Sequence, residues 1–492
     1  MAASSIKVQR KNPRKEPLQV MTEQTSKQRS RPRFINSHYV LRLLAVVLLL
    51  ALSVKYKEVG LEATRPFHNV TIALLGLAGL YCGVARLPIR FHFHPISILL
   101  YLGAGYLFFA DALAGERGFK DGVYLIANSV AVYWLLAAVV EALTMDRFLS
   151  EATLVARLLG VVVALPTLII WVWPAAGLGI IEPSPSYLAR AHGLLGDPTN
   201  FGCFCAAALL FVAARSSALP DQPSWSGDPL NQVVMAIMML GVIASGSRMA
   251  MLGGATGFAL LLVFRQLRWK AVLVAAPTGV LLYPALLYLK ARELNYLGTD
   301  IPSGDAPSIE VTSTGSPTVA ENEAVMAQLA QGAFRIEEGG SEARLGLLDF
   351  GISTFRSLPI HEKFLGCGYT CIESLGRSSH IGYLDMLVNY GLVFLTVLVG
   401  LLLAATIASI WLAKHGGAIP LALLGLFITT TAFLSWPFNS FFNYPFFCAL
   451  VSLACLAAFC RSPVPGYLRH IEENRSMARV LLGAVGPKLT PR

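Results

Sequence analysis

Charge is what this sequence has least of. Asp, Glu, Lys and Arg make up 14% of its 492 residues, where a soluble chain of this length carries about a quarter. Apolar residues make up 55%, and the mean hydropathy is +0.60. The missing charge is concentrated in long runs such as Leu43–Val54 and Ala271–Leu289. With their flanks these runs reach the roughly 20 residues that a membrane-spanning helix needs. A soluble core does not produce a dozen such runs in one chain. Metal-ligand spacing is also missing from the eight cysteines. Cys82, Cys203, Cys205, Cys448, Cys455 and Cys460 lie in or beside apolar runs, where Cys behaves as a small hydrophobe. Only Cys367 and Cys371 stand in a polar segment, four residues apart, where pairing is possible if that segment lies in an oxidising compartment. An internal repeat of transporter type is not visible. No cleavable leader is expected either, because the stretch before Tyr39 is too long and too charged.

The charge that is present sits at the ends. Residues 1–37 hold nine Lys/Arg against Glu16 and Glu23, a net of +7, and Arg461–Arg492 holds six against Glu472 and Glu473, a net of +4. Together these tails exceed the whole surplus of +10. Basic tails flanking apolar runs read as cytoplasmic retention signals rather than nucleic-acid contacts, so no nucleic-acid partner is expected.

The hydrophobic pattern predicts an all-α integral membrane protein with about 12 transmembrane helices. Spans are expected near 39–54, 70–85, 95–110, 123–143, 154–173, 199–214, 230–245, 250–264, 271–289, 383–412, 418–436 and 445–460. Trp171, Trp173, Trp225, Trp269, Trp411 and Trp436 fall near the proposed ends, as an interfacial aromatic belt requires. An even number of spans puts both termini in the cytoplasm. Arg86 and Arg90, Arg147, Arg215, and then Arg265, Arg268 and Lys270 come out on the same side. The chain then divides into a basic tail (1–38), nine spans (39–289), a large external loop (290–380), three spans (381–460) and a second basic tail (461–492). The loop carries seven Lys/Arg against twelve Asp/Glu. Within it, Pro302–Pro317 is rich in Ser, Thr, Gly and Pro, and two helical stretches follow at Val319–Phe334 and Ser341–Arg356. Leu345, Leu348, Ile352 and Phe355 give the second an apolar stripe suited to a membrane surface or the bundle.

On this topology four distant segments bring ionisable residues to the external side. Arg190, His192 and Asp197 lie in Arg-Ala-His-Gly-Leu-Leu-Gly-Asp-Pro-Thr-Asn, before the sixth span. Arg248 lies in a Gly-Ser-Arg turn, Arg344 opens the loop helix, and His380 with Tyr383 and Asp385 enters the tenth span. Taken singly, an interfacial Arg is a snorkelling anchor and a His beside a span bonds a carbonyl. Taken together, arginines near the acyl region are costly unless they meet an anion, and forked guanidiniums suit phosphate or pyrophosphate.

The Arg190–Asn200 stretch, the Gly-Ser-Arg248 turn, and Phe364-Leu-Gly-Cys-Gly-Tyr followed by Ser379-His380-Ile-Gly-Tyr383-Leu-Asp-Met-Leu-Val-Asn-Tyr-Gly391 resemble bacterial O-antigen ligases and polysaccharide polymerases. The resemblance covers roughly residues 150–412. It departs from the family's His-Asn-x-Tyr-Leu in one place, since Ile381 stands where the Asn is usual. It implies a GT-C type glycosyltransferase of the bacterial inner membrane. The implied donor is an undecaprenyl-pyrophosphate-linked oligosaccharide and the acceptor a glycan or lipid A core hydroxyl, with membrane lipids and other polysaccharide-export proteins as candidate partners. On this reading Arg190, Arg248 and Arg344 bind the pyrophosphate and no cofactor or metal is needed. His380 is the base, with Asp197 or Asp385 as substitutes, and His192 and Tyr383 line the site. Polymerisation of exopolysaccharide or O-antigen repeat units is the first reading and ligation to lipid A core the alternative. From a different class, a secondary transporter or flippase also suits twelve spans, but predicts ionisable residues at mid-membrane depth.

The topology yields a direct test. A reporter active only outside the cytoplasm should be active when fused near Ser313 and silent when fused after Arg461. The reverse pattern overturns the sidedness of every candidate residue.

Overall fold

A computed structural model of the chain describes residues 65–113, 116–143, 145–173, 189–192, 197–214, 229–296, 319–334, 340–368, 381–432 and 445–461. Among the described residues the chain is helical throughout, with one isolated antiparallel bridge between Ala214 and Leu267. The helices are α1 (Arg65–Ala85), α2 (Ile89–His92), α3 (Pro95–Leu113), α4 (Glu116–Leu143) and α5 (Met145–Val172). After them come α6 (Pro198–Ala213), α7 (Pro229–Ala244), α8 (Arg248–Val263), α9 (Trp269–Tyr296), α10 (Val319–Phe334) and α11 (Gly340–Ser357). The last four are α12 (Ile360–Leu365), α13 (Gly382–Lys414), α14 (Ile419–Ala432) and α15 (Pro445–Arg461).

A helix lies over every predicted apolar stretch except 39–54, which is outside the described residues, as are the two basic tails and Pro302–Pro317. Helices also lie over both stretches expected in the large loop. Among the described residues three apolar helices are long enough by themselves to cross a membrane: Phe148–Val172, Val272–Leu294 and Gly382–Lys414. Shorter apolar helices accompany them, including Pro198–Ala213, Pro229–Ala244 and Arg248–Val263. The outward face of α9 carries Leu273, Val280, Leu281 and Leu282, and Leu281 is 75% exposed. Large apolar side chains in rows on a helix flank, with no protein against them, need lipid rather than water. The protein is a membrane protein.

The core forms around α6. This helix is buried almost all round, packed by α5, α7, α8 and α14, and apolar on every face as such a position requires. Its start is set locally. Asp197 caps it, accepting hydrogen bonds from Thr199 N at 2.8 Å and Asn200 N at 2.9 Å, with Pro198 at the first helical position. α7 and α8 run antiparallel through the three-residue turn Ser245–Gly246–Ser247, where Gly246 takes a left-handed φ of 58°. Ser247 caps α8 by accepting from Ala250 N at 3.2 Å.

One departure from the expected boundaries matters below. The ninth span does not stop at Leu289. α9 continues to Tyr296, and Lys290, read as the first residue of the loop, is buried at 2% exposure.

The opposite end of the bundle is closed by a side chain. Gln266, between α8 and α9, donates from Nε2 to Ala413 O at 3.0 Å and accepts from Ala418 N at 2.6 Å through Oε1. It thus serves the end of α13 and the start of α14 together. Replacing it with leucine leaves the buried Ala418 N–H without its acceptor, a loss of about 1–3 kcal/mol. Gln266→Leu is therefore expected to lower the melting temperature of the purified protein. An unchanged melting temperature means the two loops are held by something else.

Candidate functional site

Antiparallel packing brings the C-terminal ends of α5, α7, α9 and α14 and the N-terminal ends of α6, α8 and α13 to one end of the bundle. Specific bonds tie these ends together. The segment Ala189–His192 lies along the α7–α8 turn. Ala191 N donates to Ala244 O at 2.8 Å, and Arg190 Nε donates to Ser245 O at 2.9 Å. Gly202 of α6 lies against the Ser245 side chain so closely that a Cβ there would meet its Oγ at 2.5 Å. The Arg190 guanidinium is thus held at the turn whose next residues open α8 with Arg248. Arg248 is exposed. It stands in the first turn of a helix, where the macrodipole presents positive partial charge and favours a carboxylate. An arginine there opposes the dipole, and a guanidinium at a helix N-terminus attracts anions.

His192 is buried at 8% exposure, with Nδ1 3.3 Å from the Arg190 carbonyl oxygen. Burial pushes its imidazole below the ordinary value of 6.5. The positive charges of Lys290 and Arg190 add to that effect, while the Arg190 carbonyl and the Asp197 carboxylate oppose it. The ring is therefore neutral at physiological pH. If Nδ1 donates to the Arg190 carbonyl, Nε2 keeps its lone pair. Asp197 is engaged elsewhere, since both capping bonds fall on its Oδ1.

Lys290 is the residue of this end whose place the sequence does not reveal. Its Nζ donates to Trp171 O at 2.8 Å and stands 4.8 Å from the centre of the Trp171 ring. A lysine at the end of an apolar run reads as an interfacial anchor. The signal that sets it apart is that Tyr283, two turns earlier, occupies the same face and stacks on the same tryptophan.

The second part of this end is built around α13. Gly391, at φ 74°, kinks that helix, and the stretch after α12 docks against the kink. Cys367 N donates to Val388 O at 3.2 Å and Gly368 N to Asn389 O at 3.0 Å. The Tyr106 hydroxyl of α3 donates to Leu365 O at 2.6 Å and lies 3.0 Å from Tyr390 O. Gly366, at φ 82°, and Gly391 allow this approach. A Cβ at Gly366 would collide with Asn389 O, and one at Gly391 with Phe364 O. The two glycine-containing motifs of the sequence thus meet each other. Cys367 is disulfide-bonded, and Cys371 lies outside the described residues.

Tyr383 lies in the first turn of α13 and accepts a hydrogen bond from Thr431 Oγ1 of α14 at 3.0 Å. Asp385, also in that turn, is buried and has the sign that the helix N-terminus favours. The two parts of this end are linked through α14, whose Thr430 lies against Gly253, little more than one turn along α8 from Arg248. His380 lies outside the described residues, and so does the side chain of Arg344, whose backbone is in α11, packed on α13. The structure therefore gathers Arg190, His192, Asp197, Arg248, Tyr383 and Asp385 at one end of the bundle and adds Lys290 to them. Among the described residues no group of His, Cys, Asp and Glu is arranged to hold a metal ion. No family model matches this chain, and no curated protein matches it.

The lowered pKa of His192 predicts a pH response with a definite sign. Between the folded and unfolded values the unfolded chain binds a proton that the folded chain refuses, so stability is lost as pH falls below about 6.5. The melting temperature of the parent should drop across that range, and that of His192→Gln should drop less. Parallel acid limbs for the two proteins count against a neutral buried His192.

Proposed function

We propose that the chain is a membrane glycosyltransferase that transfers glycan from an undecaprenyl-pyrophosphate donor to a sugar hydroxyl on the extracytoplasmic face of the bacterial inner membrane. Its product is a chain of exopolysaccharide or O-antigen repeat units, with ligation to lipid A core as the near alternative. The observation that carries the proposal is the gathering of Arg190 and Arg248 at one end of an apolar bundle, with the neutral His192 beside Arg190. In the reaction the acceptor hydroxyl attacks the anomeric carbon, the carbon–oxygen bond to the pyrophosphate breaks, and the hydroxyl proton passes to a base. Negative charge develops on a leaving group that is already anionic. Preoriented guanidiniums stabilise it without a divalent ion. Arg190, Arg248 and Arg344 are assigned to the pyrophosphate, His380 to the proton, and His192 and Tyr383 to the walls. Asp197 and Asp385 are the weaker candidates for the base, the first because it caps α6 and the second because it is buried at the start of α13. A disulfide at Cys367 supports an oxidising, extracytoplasmic location for this end. The full reading has twelve spans with both basic tails in the cytoplasm.

One observation favours a transporter or flippase instead. Lys290 is buried within a helix able to cross the membrane, and that helix is interrupted by Pro277 and Pro284. Transport predicts substrate flux into sealed vesicles with no covalent product.

Activity of purified variants on a lipid-linked donor decides between these readings. Arg248→Lys keeps the charge but loses the planar fork, so turnover should fall by about tenfold or more. His380→Ala should bind donor and melt like the parent, yet turn over about 100- to 10,000-fold more slowly. Parent activity should survive EDTA. A His380→Ala variant with near-normal turnover removes the base assignment, and activity lost to EDTA and restored by magnesium removes the role given to the arginines.

A further inference from the structure

The short helix α12 is built inside out for water. Its charged pair, Glu362 and Lys363, is half-buried, while Ile360, Phe364 and Leu365 are 70%, 49% and 58% exposed. His361 shares the outward face, with Nε2 3.8 Å from Glu362 Oε1. A helix washed by water shows the opposite arrangement, with apolar residues against the bundle and charges outward. The position of α12 is fixed by its hydrogen bonds. Lys363 N donates to Pro359 O at 3.0 Å and Gly366 N to Glu362 O at 2.6 Å. The Tyr106 hydroxyl of α3 donates to Leu365 O at 2.6 Å, and the strap that follows pairs with the α13 kink.

The register of α13 gives the depth of this contact. From Gly391 to Ala413 that helix carries no charge, and Trp411, Lys414 and His415 close its far end as interfacial residues do. The stretch from Gly391 to Trp411 rises about 30 Å, the thickness of a hydrocarbon core. Before the kink the helix carries the polar Asp385 and Asn389. The kink, and the strap docked on it, therefore stand at the membrane boundary of the candidate-site end. Just inside that boundary Leu392 and Val393 of α13 are exposed, as is Leu102 of α3, one turn from Tyr106. The outward face of α12 continues this lipid-facing belt. We propose that α12 is an interfacial helix, seated with Ile360, Phe364 and Leu365 between the headgroups and acyl chains of that leaflet. The imidazole of His361 has an apolar body and a polar tip, which suits headgroup depth. α12 thus belongs to the membrane surface, in a stretch that the hydrophobic pattern counts as external loop. None of Arg190, Arg248, Arg344 or His380 takes part, so the seat exists whether or not the chain transfers glycan.

The test uses the full chain, purified and reconstituted in phosphatidylcholine vesicles. Ile360→Cys, Phe364→Cys and Leu365→Cys are each labelled with a nitroxide, and the signal of the labelled parent is subtracted. Leu281→Cys, on the outward face of α9, serves as the standard for a label in lipid. Two relaxing agents are compared: molecular oxygen, which concentrates among acyl chains, and a nickel chelate confined to water. At two or more of the α12 positions oxygen collisions should exceed those of the chelate, as at Leu281 but by a smaller ratio. Chelate collisions dominating at two or more positions put α12 in water and overturn the seat. Protection from both agents overturns it as well, since protein, from this chain or a second copy, then covers the face. The three side chains are exposed, so a cysteine at any of them leaves the packing of the bundle intact.

Discussion

The candidate site depends on two hydrogen bonds to the backbone of a single turn. A helix ends with carbonyls that have no partner inside it, and in an apolar medium each such group must find one. At the end of α7 the Ala244 carbonyl is taken by Ala191 N, and the next carbonyl, of Ser245, by the Arg190 side chain. The same contacts that satisfy α7 therefore anchor the segment carrying Arg190 and His192 and bring it to the residue that opens α8. Remove the orphan carbonyls and the segment loses both of these ties to the turn.

The α13 kink solves a related problem in a related way. Its glycine, at φ 74°, breaks the helix, and an extended strap supplies N–H groups to the Val388 and Asn389 carbonyls. A Cβ on either facing glycine would enter backbone already occupied by the other segment. In both places a loop is held because a helix terminus or kink needs its hydrogen bonds, and the first of these loops carries Arg190 and His192. The apolar bundle thus dictates where polar chain can settle.

What could be read from the sequence follows from whether the cause is local. The apolar runs appear as helices because burial and lipid exposure act on each run separately, and Asp197-Pro198 is legible as a helix start for the same reason. The Gly-Ser-Arg turn is likewise local. Pairings between distant residues were not legible. Gln266 looks like any polar loop residue until Ala413 and Ala418 are beside it. Gly366 and Gly391 were noticed as motif letters, but their use is steric and mutual. Lys290 was placed outside the membrane because lysine ordinarily ends an apolar run, whereas the Trp171 carbonyl and ring draw it into the bundle.

The two ends of the bundle use their polar groups differently. At the Gln266 end one amide meets one carbonyl and one N–H. At the other end the balance is broken toward donors and positive charge. Arg248 stands at the helix terminus that prefers an acid, Lys290 is buried beside neutral partners, and the Trp171 indole N–H has no acceptor among the described residues. Folding alone gives no reason to bury a lysine at position 290, because an apolar residue there would suit the helix better. Sequences that fold reliably agree across levels of structure and depart from that agreement where they act on something else. The guanidiniums of Arg190 and Arg248 at this end are groups suited to an anion approaching from that side.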